Sequence, residues 1–192
     1  MIAVIFGGLS MEYVYSKKSQ SMQKKTVFIA GRTGWLEALS SEHKDGLLFA
    51  SRIREGLKRN VSLEILKDYA FWYWRTHIRP HFRHEEDVLL PNFPPGNKLA
   101  QRMRNEHDMI RELVICLDEE PDQRTLTLFA DLIQDHIVFE ENEMYTWLEK
   151  ELTKAQLEKI QLHLEQKPLT LMDDWTQEFW IQYNNKTSKR TG

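Results

Sequence analysis

Cysteine is almost missing from this chain: Cys116 is the single thiol in 192 residues. A disulfide framework within the chain is therefore excluded, as is any Cys-x-x-Cys site for zinc or thiol redox chemistry. Cys116 lies in the apolar run Leu113-Val114-Ile115-Cys116-Leu117 and reads as a small core hydrophobe. Excess charge of one sign is also missing. The formal net charge is −3, so the chain shows no electrostatic footprint for nucleic acid or an anionic membrane. Long hydrophobic runs are absent as well. The stretch Ile2 to Phe6 falls far short of the roughly 20 apolar residues that cross a bilayer. No Lys or Arg precedes Lys17, so the basic start of a secretory leader is lacking. These absences lead to the expectation of a cytoplasmic protein with neither nucleic acid nor membrane as partner, and they leave the oligomeric state open.

Strand alternation of useful length is missing between residues 34 and 166, and helix periodicity stands in its place. Leu47, Ala50, Ile53 and Leu57 predict a first helix from about Trp35, with Ser40 or Ser41 as its cap and Asn60 as its stop. A second runs from about Leu63 to Leu90, kinked at Pro80 and ended by Pro91. The turn chemistry of residues 92–97 makes a loop. A third helix fits Lys98 to Leu117, and a fourth fits Arg124 to about Leu152 with Asp122 as cap. Thr153 caps a shorter fifth, Lys154 to Gln166, closed by Pro168. Thr26 to Gly31 reads as a short strand, Trp175, Phe179 and Trp180 as part of an amphipathic piece, and Asn184 to Gly192 as disordered. The expected organisation is a segment 1–33 of unclear structure, a four-helix bundle over 34–152, and a C-terminal helix and tail over 153–192. Long helices with short connections predict an all-α, antiparallel up-down four-helix bundle with a short extra C-terminal helix.

The histidines are clustered. Six of the seven fall in the four bundle helices: His43, His77, His81, His84, His107 and His136. Two of them open the same motif, His81-x-x-x-Glu85 and His136-x-x-x-Glu140. Residues i and i+4 share a helix face, so an imidazole and a carboxylate can converge on one centre. Each motif carries a second glutamate, Glu86 and Glu141. Each is preceded one helix earlier by a histidine that follows a glutamate, Glu42-His43 and Glu106-His107. This is a helix-pair repeat with three ligand candidates per half. Four imidazoles and two carboxylates suit iron, with manganese or zinc as alternatives, and carboxylates can bridge two ions. Glu86 sits about 100° around the helix from Glu85 and is expected outside the site. His77, His81 and Glu85 run at i, i+4, i+8, which makes His77 an additional candidate. His84 and His163 read as peripheral or solvated. Glu-x-x-His, the ferritin-like di-iron motif, does not occur.

The ordered segments Ser41-Glu42-His43, His81 to Glu86, Asn105-Glu106-His107 and Asp135 to Glu141 resemble the hemerythrin-like, or HHE cation-binding, family over roughly residues 38–150. The resemblance implies a hemerythrin-like bundle with a non-haem pair of iron ions (Fe2+/Fe3+), oxo- or hydroxo-bridged, that meets O2, NO or peroxide. It assigns as ligands His43, His81, Glu85, His107, His136 and Glu140. Oxygen-carrying hemerythrins have a further histidine four residues after the one on the third helix, and this chain has Arg111 there. Two functions follow as expectations. One is a module that binds or senses O2, NO or peroxide, or handles iron. The other is an enzyme that reduces peroxide or nitric oxide at the same centre, with Arg111 beside bound anionic species. A bundle with a degenerate, purely structural site is the third. The aromatic run Phe71-Trp72-Tyr73-Trp74 is read as core packing, or as a shield for the pocket.

Overall fold

The computed structural model describes residues 34–119, 121–166 and 174–181, together with the paired backbone of 5–6 and 9–10. The chain divides into two units, Met1–Ala30 and Gly31–Gly192. In the first, β1 (Ile5–Phe6) pairs antiparallel with β2 (Leu9–Ser10), Ile5 opposite Ser10. The strand expected near residues 26–31 and the disorder expected for 184–192 lie outside the described residues.

The second unit is an up-down four-helix bundle with an added fifth helix. The helix α1 is Glu37–Lys58. It starts ahead of the expected serine cap, because Leu36 and Leu39 are already fully buried and draw the first turn into the core. Ser40 is therefore a buried helical residue rather than a cap. The stop does fall at Asn60. Its φ of 55° is left-handed, and Val61 N donates to Gly56 O while Asn60 N donates to Leu57 O, which satisfies the last carbonyls.

The helical run 63–92 forms α2. It comprises Leu63–Tyr73, a π turn Trp74–Ile78, Arg79–His84, a second π turn Glu85–Leu89 and a closing 3-10 turn Leu90–Asn92. Pro80 has no N–H to give the carbonyl of residue 76. The ladder widens in the turn before it, with Arg79 N bonded to Trp74 O. Next comes α3, Lys98–Glu119, capped by Asn97, whose Oδ1 accepts from Leu99 N at 2.8 Å. The run 123–151 is α4, made of Gln123–Phe139, a π turn Glu140–Met144 and Tyr145–Glu151. Asp122 caps it by accepting from Thr125 N at 2.8 Å, as expected from sequence. Finally α5, Lys154–Gln166, is capped by Thr153, with Gln156 Oε1 reaching back to Thr153 N. Among the described residues no helix is long and apolar enough to cross a membrane.

Two apolar layers enclose the middle of the bundle. At one end Leu36, Leu89, Met103, Phe139 and Leu148 pack together, and Ile160 and Leu164 of α5 close that layer. At the other end Phe49 stacks on Tyr73 at 4.2 Å and meets Phe129 edge-on. Here the C-terminal segment lies on the bundle of its own chain, as irregular backbone rather than helix. Trp175 contacts Tyr69, Trp72 Nε1 donates to Asp174, and Arg52 covers the Trp180 ring at 3.8 Å. Gly56 permits this seat, since a Cβ there would lie 2.9 Å from Phe179 and 2.5 Å from Leu66. Polar groups placed between two such layers are withheld from water. Cys116 is half-buried on α3, and burial together with the Glu119 and Glu112 carboxylates pushes its thiol pKa up, which fits an unreactive side chain.

Candidate metal centre

Each bundle helix contributes to a polar cluster from its apolar stripe. On α1 the buried series Leu39, His43, Gly46, Ala50, Ile53 places an imidazole where a core hydrophobe would stand. On α3 the series Ala100, Met103, His107, Ile110, Val114 does the same. His81 and Glu85 come from α2, His136 and Glu140 from α4. Among the described residues nine polar side chains are buried, and seven of them belong to this cluster: the six ligand candidates and Glu141. A solvated surface pairing is thereby ruled out for both His-x-x-x-Glu motifs.

The six side chains form two overlapping groups, His43, His81, Glu85, Glu140 and Glu85, His107, His136, Glu140. Ligand atoms in each group lie within 4.8 Å of one another, and both carboxylates belong to both groups. The His43 and His81 Nε2 atoms are 3.1 Å apart, and so are those of His107 and His136. Glu85 reaches across, with Oε1 3.5 Å from His81 Nε2 and Oε2 3.3 Å from His107 Nε2. Glu140 does likewise, with Oε2 3.2 Å from His43 Nε2 and Oε1 3.1 Å from His136 Nε2.

An outer ring of carboxylates fixes the direction of every imidazole. Glu141 accepts from His43 Nδ1 at 2.7 Å and Glu42 from His81 Nδ1 at 2.6 Å. Glu86 accepts from His107 Nδ1 at 2.7 Å and Glu106 from His136 Nδ1 at 2.9 Å. An ionised carboxylate can only accept, so each Nδ1 carries the proton and each neutral ring turns its Nε2 lone pair inward. This is the arrangement that orients metal-bound histidines.

The donor set fits a cation. Paired lone pairs at 3.1 Å repel unless a positive charge lies between them. The same spacing belongs to two nitrogen donors, each about 2.1 Å from one ion, that meet near a right angle. Glu85 Oε2 and both Glu140 oxygens are buried without a well-formed hydrogen bond. Burying a carboxylate so costs several kcal/mol, roughly, unless a cation compensates it. The electrostatics point the same way. Burial opposes charge on His136, yet Glu140 and Glu106 raise its pKa to about 10. Burial likewise opposes charge on His81, but Glu85 and Glu42 lift it well above the ordinary range. His43 is also raised, by Glu140 and Glu141 against its burial. Burial would raise Glu85, but His81 and His107 hold it well below the usual carboxylate range. The pocket demands positive charge, from protons or from metal.

Some expectations resolve differently. His77 belongs to neither group. Its Nδ1 lies 2.6 Å from Thr76 Oγ1 and its ring stacks on Tyr73 at 4.3 Å. Arg111 does not face the centre either. It bonds Glu86 and Asp108, behind His107, so the position of the missing histidine is an outer ion pair. His84 is half-buried outside the groups, and His163 is exposed with Nδ1 donating to Lys159 O at 2.8 Å. Glu86 stays out of the inner groups, as expected, yet it anchors His107. Tyr145 was not anticipated. Its hydroxyl donates to Glu85 Oε1 at 2.8 Å, and its ring stacks on His43.

Beside the groups is a cavity of about 30 Å3, lined by His43, His81, His136, Gly46, Ile133 and Ile137 among others. It has room for a water or a diatomic molecule and is far smaller than the several hundred Å3 of an organic-substrate pocket.

Comparisons with curated proteins and with solved structures return no match. Residues 35–148, more than half of the chain, match the family model of the hemerythrin HHE cation binding domain, and the protein belongs to that family.

Proposed function

We propose that the bundle, residues 34–152, is a cytoplasmic di-iron module that binds or senses O2, NO or peroxide, or handles iron. The observation that supports this reading most is the doubled ligand set, two groups that share Glu85 and Glu140. His43 and His81 would hold one ion, His107 and His136 the other, and the two glutamates would bridge them. Imidazole with carboxylate favours iron over zinc, which in structural sites more often takes cysteine. When bound, an iron pair supplies reversible one-electron redox chemistry and an open position for a small ligand.

The chain's own residues do the rest. The outer carboxylates hold the four rings in register. The two apolar layers exclude bulk water, which strengthens every charge interaction inside. The cavity limits access to molecules of a few atoms, and its wall takes in His43, His81 and His136. This size favours binding or sensing of a diatomic or peroxide over turnover of an organic substrate.

The test is elemental analysis of purified protein, with absorption spectra before and after reduction. About two irons per chain and near-ultraviolet bands that change on reduction are expected. One zinc, or no metal after anaerobic loading with Fe2+, would defeat the reading. Multiple-turnover loss of peroxide or nitric oxide beyond that of free iron would move the protein to the reductase class.

A further inference from the structure

The centre has a pseudo-two-fold arrangement, and at the ligand oxygens a tyrosine hydroxyl breaks it. Glu85 and Glu140 each open a π turn, and each turn closes five residues on, with Leu90 N bonded to Glu85 O and Tyr145 N bonded to Glu140 O. Leu90 and Tyr145 are therefore counterparts. Both are buried, but only Tyr145 brings a hydrogen-bond donor, and it spends it across the bundle on Glu85 Oε1. The corresponding position, five residues after Glu85, holds the hydrocarbon of Leu90, and neither Glu140 oxygen has a hydrogen-bond partner.

The effect falls on one half. The His43/His81 half is served by Glu85 Oε1, which the tyrosine already engages, and by Glu140 Oε2. The His107/His136 half is served by Glu85 Oε2 and Glu140 Oε1, which carry no hydrogen bond. A carboxylate oxygen that accepts a hydrogen bond has less negative charge to offer a cation. Resting on the dinuclear reading above, we propose that Tyr145 is a positioning residue that makes the two ion sites unequal. The His107/His136 site fills first and empties last, and the His43/His81 site is the labile one. Both imidazoles of the labile half line the cavity, against His136 alone from the other.

One influence opposes this order. Arg102 bonds Glu106, and Arg111 bonds Glu86, so two guanidiniums lie behind the tighter half. They are 43% and 36% exposed, and water screens them. Tyr145 is fully buried and touches the ligand oxygen itself.

The experiment is an anaerobic titration of metal-free protein with Co2+, followed by visible absorption and calorimetry, on the wild type and Tyr145→Phe. The variant keeps the ring and removes the hydroxyl. Circular dichroism and melting temperature confirm that it folds. Two resolved steps are expected for the wild type. In Tyr145→Phe the weaker step should tighten about tenfold, the worth of one hydrogen bond to a charged group, and merge toward the first. Mössbauer spectra of the 57Fe-loaded proteins should show two quadrupole doublets in the wild type that converge in the variant. Equal steps in the wild type, or an unchanged gap in the variant, would overturn the inference and leave the dinuclear centre standing. Failure of the wild type to take up a second ion would instead overturn the dinuclear reading.

Discussion

The α1–α2 half and the α3–α4 half of the centre carry the same residues in the same order, and they differ where those residues meet their packing. His43 and His107 correspond, as do His81 and His136, Glu85 and Glu140, Glu42 and Glu106, Glu86 and Glu141. Around them the match fails. Three residues after His43 stands Gly46, and three after His107 stands Ile110. One residue after His81 stands Phe82, which stacks on His107 at 3.6 Å; one after His136 stands the smaller Ile137. The smaller member of each pair, Gly46 and Ile137, lines the cavity, together with Phe82. The lesson is that charge and donor identity were duplicated while side-chain volume was not. Volume, more than donor type, decides where the cavity opens.

This comparison can be broken from its shared members outward. Glu140→Ala removes a carboxylate common to both groups, so both ions should be lost, and metal analysis after desalting should find little of either. His81→Ala and His136→Ala each strike one half. Each should cut the metal content to about one ion or less per chain, while His163→Ala should keep the wild-type content. If all three histidine variants hold equal metal, the assignment fails. Glu42→Gln and Glu106→Gln disturb the orientation of His81 and His136 without touching a ligand. Metal affinity should fall by about ten- to a hundredfold in either, read by competition with a chelator of known affinity.

Ile137→Phe gives α4, at the cavity wall, the ring that Phe82 supplies at the corresponding position of α2. Metal content should be unchanged, and stopped-flow association of nitric oxide with the reduced protein should slow severalfold. Association at the wild-type rate would disconnect the cavity from ligand entry. The smallest effect expected is one of pH on the metal-stripped chain. The pKa of His136 is raised from 6.5 to about 10 by folding. Its contribution to stability is thus fully present below pH 6.5 and is lost as pH rises through about 10. His43 and His81, also raised, act in the same direction. The melting temperature of stripped protein should fall across that window, and that of metal-loaded protein should fall less, because a cation takes the place of the protons.

Much of this was legible in one dimension. His43, His81, Glu85, His107, His136 and Glu140 were marked by i, i+4 spacing and by their repetition one helix pair apart, and helix geometry carries that pattern without distortion. Asp122, Asn60 and Thr153 announced their caps because capping is a local matter of one side chain and one turn. Tyr145 gave no such signal. Five residues along an ideal α-helix lie about 140° around it, so Tyr145 should face away from Glu140. The π turn Glu140–Met144 absorbs the difference and turns its ring onto the centre. Arg111 misled for a related reason. Four residues after His107 is the right face, but the guanidinium finds Glu86 and settles outside.

The sequence alone therefore determined the candidate ligand set and the helices that bear it, since residue type and a 3.6-residue period are written in the order of amino acids. Which carboxylate stands behind which histidine, that Glu85 and Glu140 each span both halves, and that a cavity opens beside His43 were decided only by the tertiary structure. Those relations join residues from different helices, and no period along one chain encodes the distance between two.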